Sequence, residues 1–417
     1  MVSARRTAIT RRAKRLVGYW RSERRTLGQG LVALALSTLA AFVAGLTLGS
    51  LTDTLAALPG LLVLIPASVG MRGTIFGAIG ARLGTGIHAG LFEASLRRGG
   101  MLGRNVEVGI VSSFLSSFYL AAMAKLVAGA IGEETMPFWD LVTISVVGGV
   151  LGSIVILVVT VVISVLSFRR GWDLDSVSTP MVTAIGDMVT LPALFLATFL
   201  VRSATVEEVA ATASTILTVG ALLWAIVRSP VQVQRILVEM LPMIVIVPLL
   251  DVFAGALLEA RRPVLETVPA VLLVIPPFVS QAGALGGILS SRLSSKLTLG
   301  VITPRGRPEQ PALVDAVIVV GAGLTIFTLI GALGSLLAGL VGMPAPDPGT
   351  MIGAVVLAGL IALPVTIFAG YYVAVLTSRF GLDPDNFGVP TITSLMDLVG
   401  VACVLFAMSL SGVFAHG

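Results

Sequence analysis

The chain has 417 residues, of which 56% are hydrophobic and only 12% are charged, and its formal net charge is +5. Soluble globular proteins carry about 25% charged residues, so this composition excludes a soluble body and indicates an integral membrane protein. The single cysteine, Cys403, excludes an intrachain disulfide and a metal site of four thiolates, and two histidines are too few for a histidine-based metal site.

The chain begins with a basic arm. Its first 25 residues hold nine basic residues and one acid, and an apolar stretch from Leu27 to Leu51 follows. That stretch is long enough to cross about 30 Å of hydrocarbon, which favours a retained helix over a cleaved signal peptide. The arm, residues 1–27, is expected to lie on the anionic cytoplasmic leaflet of the cell membrane, and binding to nucleic acid is not expected.

Eleven apolar segments follow one another with short connections, and each is long enough to span a bilayer. We therefore expect about eleven transmembrane helices and no soluble regulatory or catalytic domain between them. The predicted spans are residues 28–51, 58–86, 105–131, 138–167, 177–201, 208–227, 236–258, 268–291, 312–341, 350–377 and 388–413.

The two halves of the chain repeat one another at an offset of 210 residues. Residues 58–84 align without a gap with residues 268–294, and residues 179–200 align in the same way with residues 389–410. The sixth span, residues 208–227, has no partner in the first half. This pattern predicts a duplicated unit of five helices with one extra helix between the two copies.

Basic residues indicate the orientation of the helices, because cytoplasmic loops collect Lys and Arg. With a cytoplasmic N-terminus, most basic loop residues fall on the cytoplasmic side, and Arg261 and Arg262 are the exceptions. Omitting the sixth span would invert the second half and place its basic loops outside. The two repeats are therefore expected to be parallel, related by a pseudo-two-fold axis along the membrane normal, with the C-terminus outside.

The expected architecture is an all-α polytopic membrane protein in which two parallel five-helix repeats are joined by a linker helix. Because the duplication already supplies both halves of a two-fold arrangement, we expect a monomeric pseudo-dimer. The expected parts are a basic cytoplasmic arm (1–27), a first membrane unit (28–203), a linker transmembrane helix (204–232) and a second membrane unit (233–417).

Asp187 and Asp397 occupy equivalent positions of the repeat, each inside a long apolar segment. A carboxylate at that depth is costly unless it faces the bundle interior or water and has a partner. Equivalent residues of a parallel duplication lie at equal depth, so the two acids are expected to face each other across a central pore and to bind a cation. Thr183 and Thr190, one turn on either side of Asp187, and Thr393 before Asp397 are expected to line that pore.

Carboxylate and hydroxyl oxygens suit Mg²⁺, which gives up its water reluctantly and is typically held by one or two carboxylates. Mg²⁺ is therefore the expected transported ion, and no organic cofactor is expected. The structural alternative is a pair of protonated aspartates that are hydrogen-bonded to their own helices.

The second span of each repeat is rich in glycine, and Gly73/Gly77 and Gly283/Gly287 form equivalent GxxxG pairs. Small residues at this spacing allow close packing of helices. Together with Pro66 and Pro276, these glycines also allow backbone carbonyls to face a pore. Both interpretations apply to one helix, and we expect these six residues to be pore-lining.

Two further buried charges break the symmetry of the repeat. Asp251 stands where the first copy has Ala41, and Arg72 stands where the second copy has Ala282. Both are possible secondary site residues, and Arg72 is expected to pair with an acid such as Asp251 or with backbone carbonyls.

Two arginines, Arg82 and Arg292, are equivalent in the repeat and lie near the predicted cytoplasmic end of the second span. We expect each to act as an anchor or to pair with Glu93 or another loop acid.

The segments GMRGTIFGAIGARLGTG (70–86) and SQAGALGGILSSRLSSK (280–296) resemble the second-helix signature of MgtE-type magnesium transporters. They are most similar to the solute-carrier branch, which fuses two MgtE membrane units in one chain and lacks soluble sensor domains. The resemblance implies that Asp187 and Asp397 are the pore aspartates that bind hydrated Mg²⁺. It also implies that the second and fifth helices of each unit line the pore. Thr74 and Ala284 stand where the family often has asparagine.

The sequence thus predicts a channel or transporter for divalent cations, and not an enzyme. Within that class, an exchanger coupled to Na⁺ or H⁺ stays open, because paired aspartates can exchange a cation for protons. An intramembrane aspartyl protease is a third hypothesis, on the basis of AIGD followed by LPAL, but the second copy has no LPAL. A carrier for an organic cation would need an aromatic-lined cavity, and only 6% of the residues are aromatic.

Overall fold

The computed structural model describes residues 24–95, 97, 100–170, 174–382 and 387–414, so most of the predicted basic arm lies outside the described residues. Over these ranges the chain is helical and has no strand. Ten of its helices are long and apolar enough to cross a membrane. The prediction of an all-α polytopic membrane protein is therefore confirmed. The first helix adds a shorter apolar stretch, Ser37–Gly49, so an eleventh span stays a prediction.

In the described part of the chain, the first repeat contains seven helices, two of which are separated by a π-helical turn, Ile144–Gly148. They are α1 (Arg24–Gly49), α2 (Thr52–Ala57), α3 (Leu61–His88), α4 (Met101–Ile131), α5 (Phe138–Thr143), α6 (Gly149–Arg170) and α7 (Leu174–Thr198). A short 3₁₀ turn, Phe199–Arg202, ends the repeat.

The linker helix and the second repeat complete the chain. The linker is α8 (Ala204–Leu223), which ends in a π-helical turn, Trp224–Arg228. The second repeat contains α9 (Val231–Glu259), α10 (Arg262–Thr267), α11 (Pro269–Thr298), α12 (Gln310–Val341), α13 (Pro348–Phe380) and α14 (Val389–Leu410).

The duplication is visible in the positions of the helix ends. The short helices α2 and α10, which the sequence did not predict, differ in position by 210 residues, as do the C-terminal ends of α3 and α11. Both α4 and α12 stop at a glycine in the left-handed region, Gly132 at φ 81° and Gly342 at φ 74°. Glycine stops a helix this way at low cost because it has no Cβ.

The two repeats are interlocked through an exchange of their first helices. Helix α1 packs against α11 of the second repeat, and α9 packs against α3 of the first. At the two crossings, a Cβ on Gly45 would lie 2.1 Å from the Leu273 carbonyl oxygen, and a Cβ on Gly255 would lie 2.4 Å from the Val63 carbonyl oxygen. These four residues are two equivalent pairs, so the close backbone contact is repeated on both sides of the molecule.

Helices α7 and α14 are held between the exchanged helices. Helix α7 packs against α1, α3 and α6, and α14 packs in the equivalent way against α9, α11 and α13. Helix α8 has no counterpart among the described helices of the first repeat, and it packs against α4 and α5. Its outer face exposes large apolar side chains, among them Val209 (66%), Ile216 (64%) and Ile226 (64%). Such a face suits contact with lipid, in keeping with a multi-pass membrane protein.

The loop between α9 and α11 contains a local cluster of paired charges. Arg262, one of the two exceptions to the predicted charge distribution, is bound by Glu259 at 2.9 Å and Glu266 at 3.5 Å. Its charge is therefore compensated within the loop.

The prediction for the partners of Arg82 and Arg292 needs a correction. Arg82 binds Glu239 of α9 at 3.1 Å and not Glu93, and Arg292 binds Asp315 of α12 at 3.2 Å. Both acids lie in neighbouring helices and not in loops.

Candidate cation site

The two equivalent aspartates lie close together inside the bundle. Asp187 is on α7 and Asp397 is on α14, and their carboxylates are near enough to repel one another. Both side chains are only half-buried, although they lie deep within long apolar helices. A partly exposed carboxylate in this place indicates that the surrounding side chains leave space beside it.

The Asp187 carboxylate is bound across the repeat boundary. The Ser280 hydroxyl, on α11, donates a hydrogen bond of 3.3 Å to Asp187 Oδ2. Thr190, one turn further along α7, is fully buried, and its hydroxyl has no hydrogen-bond partner among the described residues. The side chain of Thr183 lies outside the part of the chain that the structure describes.

The Asp397 carboxylate has different neighbours. A Cβ built on Gly70 of α3 would lie 2.4 Å from Asp251 Oδ2 and 3.6 Å from Asp397 Oδ2. Asp251 belongs to α9 and is fully buried, and it also lies near Ser394. The exchange of first helices thus brings a third acid to the pair. Thr393 directs its hydroxyl to the Pro390 carbonyl at 2.9 Å, within its own helix.

The equivalent glycine pairs of α3 and α11 have different surroundings. A Cβ on Gly73 or Gly77 would meet nothing within 4 Å, and both residues are half-buried. In contrast, Gly283 is buried with a Cβ position 3.1 Å from the Thr393 Cα, and Gly287 packs 3.5 Å from Val389. One glycine pair therefore faces open space, whereas the other makes room for α14.

The two prolines, Pro66 in α3 and Pro276 in α11, are partly exposed at equivalent positions. Proline removes a backbone donor and frees the carbonyl of the preceding turn. Each of the two helices thus has a carbonyl free of its usual intrahelical partner.

Arg72 is buried, with 2% of its surface exposed, and it binds backbone carbonyls. Its Nη1 donates to the Ser68 carbonyl, and its Nε donates to the Gly149 carbonyl at 3.3 Å. The predicted pairing with carbonyls is confirmed, and the alternative pairing with Asp251 is not. In the second repeat the equivalent space is filled by stacked rings, with Phe278 and Phe327 centroids 4.6 Å apart.

No group of three His, Cys, Asp or Glu side chains within the described ranges is close enough to hold one metal ion directly. A divalent cation between Asp187 and Asp397 would therefore keep part of its water shell. Sequence reasoning missed Ser280 and Ser394 as neighbours of the acids. A residue-by-residue comparison of the two copies could have found them, because the copies differ at both positions. Ser280 is equivalent to Gly70, and Ser394 is equivalent to Ala184.

Comparison with known proteins supports this description. The model of the MgtE family, described as a divalent cation transporter, matches residues 65–197 and 275–407. Each matched range contains one of the two aspartates, and the two ranges differ by the same offset as the repeat.

Curated relatives belong to solute carrier family 41. Member 3 from Mus musculus is 24% identical over 370 residues, which cover 82% of this chain and 73% of the relative. Member 3 from Rattus norvegicus is 23% identical over 406 residues, with coverage of 90% and 85%. Member 2 from Homo sapiens is 27% identical over 136 residues, with coverage of 32% and 23%. No solved structure matches the chain.

The family model covers well over half of the chain, in two copies that coincide with the structural repeats and enclose the paired acids. The chain therefore belongs to the MgtE family of divalent cation transporters.

Proposed function

We propose that this protein transports Mg²⁺ across the membrane through a central pore in which Asp187 and Asp397 face each other. The observation that carries the proposal is the pair of half-buried carboxylates on equivalent helices of two interlocked repeats. Two such carboxylates carry the charge that neutralises one divalent cation. Because no three such side chains among the described residues converge on one point, the pair favours an ion that keeps its water, and Mg²⁺ does so most strongly.

The proposed pore runs between α3, α7, α11 and α14. The open faces at Gly73 and Gly77 and the partly exposed prolines give a hydrated ion room beside backbone carbonyls. The Ser280 hydroxyl, which bonds to Asp187, holds that carboxylate in position. The pore therefore has acidic groups at its centre and uncharged oxygen atoms next to them.

The proposed organisation keeps the four parts expected from the sequence and a monomeric pseudo-dimer. A cytoplasmic N-terminus, with the basic arm on the anionic leaflet, and an outside C-terminus belong to the same proposal. The reciprocal contacts of α1 with α11 and of α9 with α3 support a pore completed within one chain.

The test is Mg²⁺ flux into proteoliposomes that contain wild type, Asp187→Asn or Asp397→Asn, with Na⁺ and pH gradients imposed in turn. Both substitutions keep the shape of the side chain and remove its charge. We expect both to abolish the flux, while Asp347→Asn, in an exposed loop, keeps it. Unchanged flux in either pore variant would exclude a shared cation site.

The same measurement separates a channel from an exchanger. A flux that ignores both gradients indicates a channel, and a flux that follows one of them indicates an exchanger coupled to that ion. The repulsion between the two carboxylates does not distinguish the two mechanisms, because either a bound cation or a proton can relieve it.

A further inference from the structure

The surroundings of the two pore acids differ at three equivalent positions. At each of them, the Asp397 side has either more space or an additional oxygen-bearing side chain. Asp397 has Gly70, Asp251 and Ser394 beside it. The residues equivalent to these are Ser280, Ala41 and Ala184. The repeat has therefore kept its backbone and diverged at the site itself.

The exchange between Gly70 and Ser280 is linked to the exchange between Asp251 and Ala41. A Cβ at Gly70 would lie 2.4 Å from Asp251 Oδ2, so no residue larger than glycine fits while Asp251 keeps this position. On the other side the serine is present and the acid is replaced by the fully buried Ala41. Each side has either the serine or the acid, because the two compete for the same space.

No cationic side chain among the described residues pairs with Asp251. Its side chain is fully buried, and neither carboxylate oxygen receives a well-aligned hydrogen bond from the described residues. The Ser394 hydroxyl and the Asp397 carboxylate are near enough to interact with it. The buried arginine of the same region, Arg72, is committed to the carbonyls of its own turn and of Gly149. A buried carboxylate in this condition is costly unless a cation or a proton joins it.

We propose that Asp251 and Asp397, with the Ser394 hydroxyl, form a second binding position for a divalent cation, on one side of the pore only. This inference rests on the proposed function, because it takes Asp397 as a pore acid. Two adjacent carboxylates and one hydroxyl carry the charge and the oxygen atoms that a divalent cation requires. The Asp187 side has one carboxylate and one serine, so its attraction for a cation is weaker. The transported ion would therefore bind unequally to the two halves of the pore.

The experiment measures Mn²⁺ binding to the purified full-length protein by electron paramagnetic resonance, with Mn²⁺ as the probe. Asp251→Asn removes the charge at constant shape. We expect it to weaken the tightest Mn²⁺ position by at least about 10–100-fold, because even the loss of an outer-shell partner of a metal ligand has an effect of that size. Ser394→Ala should weaken the same position to a smaller extent.

Two further variants exploit the repeat. Asp251→Ala combined with Gly70→Ser and Ser394→Ala gives the Asp397 side the residues found beside Asp187, and it should lose the tight position. Ala41→Asp combined with Ser280→Gly and Ala184→Ser gives the Asp187 side the residues found beside Asp397, and it should gain a second tight position. The first variant tests whether these residues are necessary for the tight position, and the second tests whether they are sufficient for it.

Unchanged Mn²⁺ affinity in folded Asp251→Asn would overturn the inference and would mean that Asp251 carries a proton instead. If that variant fails to purify as a monodisperse protein, Ser394→Ala and the variant with Ala41→Asp provide the test. Unchanged Mn²⁺ binding in both of them would also overturn the inference. The proposed function is judged separately, since loss of flux in Asp187→Asn supports the pore whatever Asp251 binds. Retained flux in that variant would contradict the proposed pore, while the Mn²⁺ titration would still test binding at Asp251.

Discussion

The carboxylate of Asp251 occupies the space that a side chain at Gly70 would need, with Oδ2 2.4 Å from the position of a Cβ. The two residues belong to different repeats, and the contact exists because α9 crosses onto α3. This relationship makes the site of a duplicated protein unequal on its two sides.

The contact predicts coupled effects of substitutions at Gly70 and Asp251. Gly70→Ser alone should lower the thermal stability of the purified protein, because the buried carboxylate has to move. In the background of Asp251→Ala the same substitution should have little effect, since the space is then free. Melting temperatures of the four proteins of this double-mutant cycle measure the coupling. Additive effects would show that the two side chains do not compete.

The helix crossings predict a large loss of stability from a single methyl group. Gly45→Ala and Gly255→Ala would each place a Cβ within 2.4 Å or less of a backbone carbonyl oxygen, which cannot rotate away. We expect a cost of at least about 1–3 kcal/mol for each, as for other overpacked interiors. The control is Gly353→Ala, an exposed helical position with nothing within 4 Å, which should be neutral or stabilising. Equal stability of Gly45→Ala and the control would contradict the close crossing.

The open face of α3 predicts a block of transport without unfolding. Gly73→Leu places a bulky side chain in the space where the Cβ meets nothing within 4 Å, so Mg²⁺ flux should fall strongly while the melting temperature stays near that of wild type. Gly129→Leu is the matched control, since it also has free space but lies exposed on α4. Equal flux in the two variants would show that Gly73 does not face the pore.

The first turn of α13 predicts a pH-dependent contribution to stability. Asp347 accepts hydrogen bonds from the Thr350 hydroxyl at 2.7 Å and from the Thr350 backbone N–H at 2.9 Å, and these bonds lower the pKa of Asp347. A lowered pKa in the folded state means that the contribution is present above the ordinary carboxyl pKa and is lost as the pH falls through the lowered value.

Asp347→Asn should therefore lower the melting temperature at neutral pH, and the difference from wild type should shrink below about pH 4. The control is Asp53→Asn, which changes an exposed acid in the short helix α2. A difference that does not change with pH would show that the charge of Asp347 does not contribute.

The sequence alone determined the class of the protein, most of its helices and its duplication. Long apolar segments have to be helical in a bilayer, because lipid offers no hydrogen bonds to the backbone. The gapless 210-residue offset made Asp187 and Asp397 equivalent before any coordinates, and the structure brings them together. These features are local or periodic, so a linear reading is sufficient for them.

Only the tertiary structure decided which side chains meet at the acids. The sequence treated Gly73/Gly77 and Gly283/Gly287 as one motif, but the first pair faces open space and the second packs against α14. It named Asp251 as a possible partner of Arg72, although α9 places Asp251 beside Gly70 and Asp397 instead. The physical reason is the exchange of α1 and α9, because the contacts that surround each acid come from both repeats and depend on how closely two helices cross.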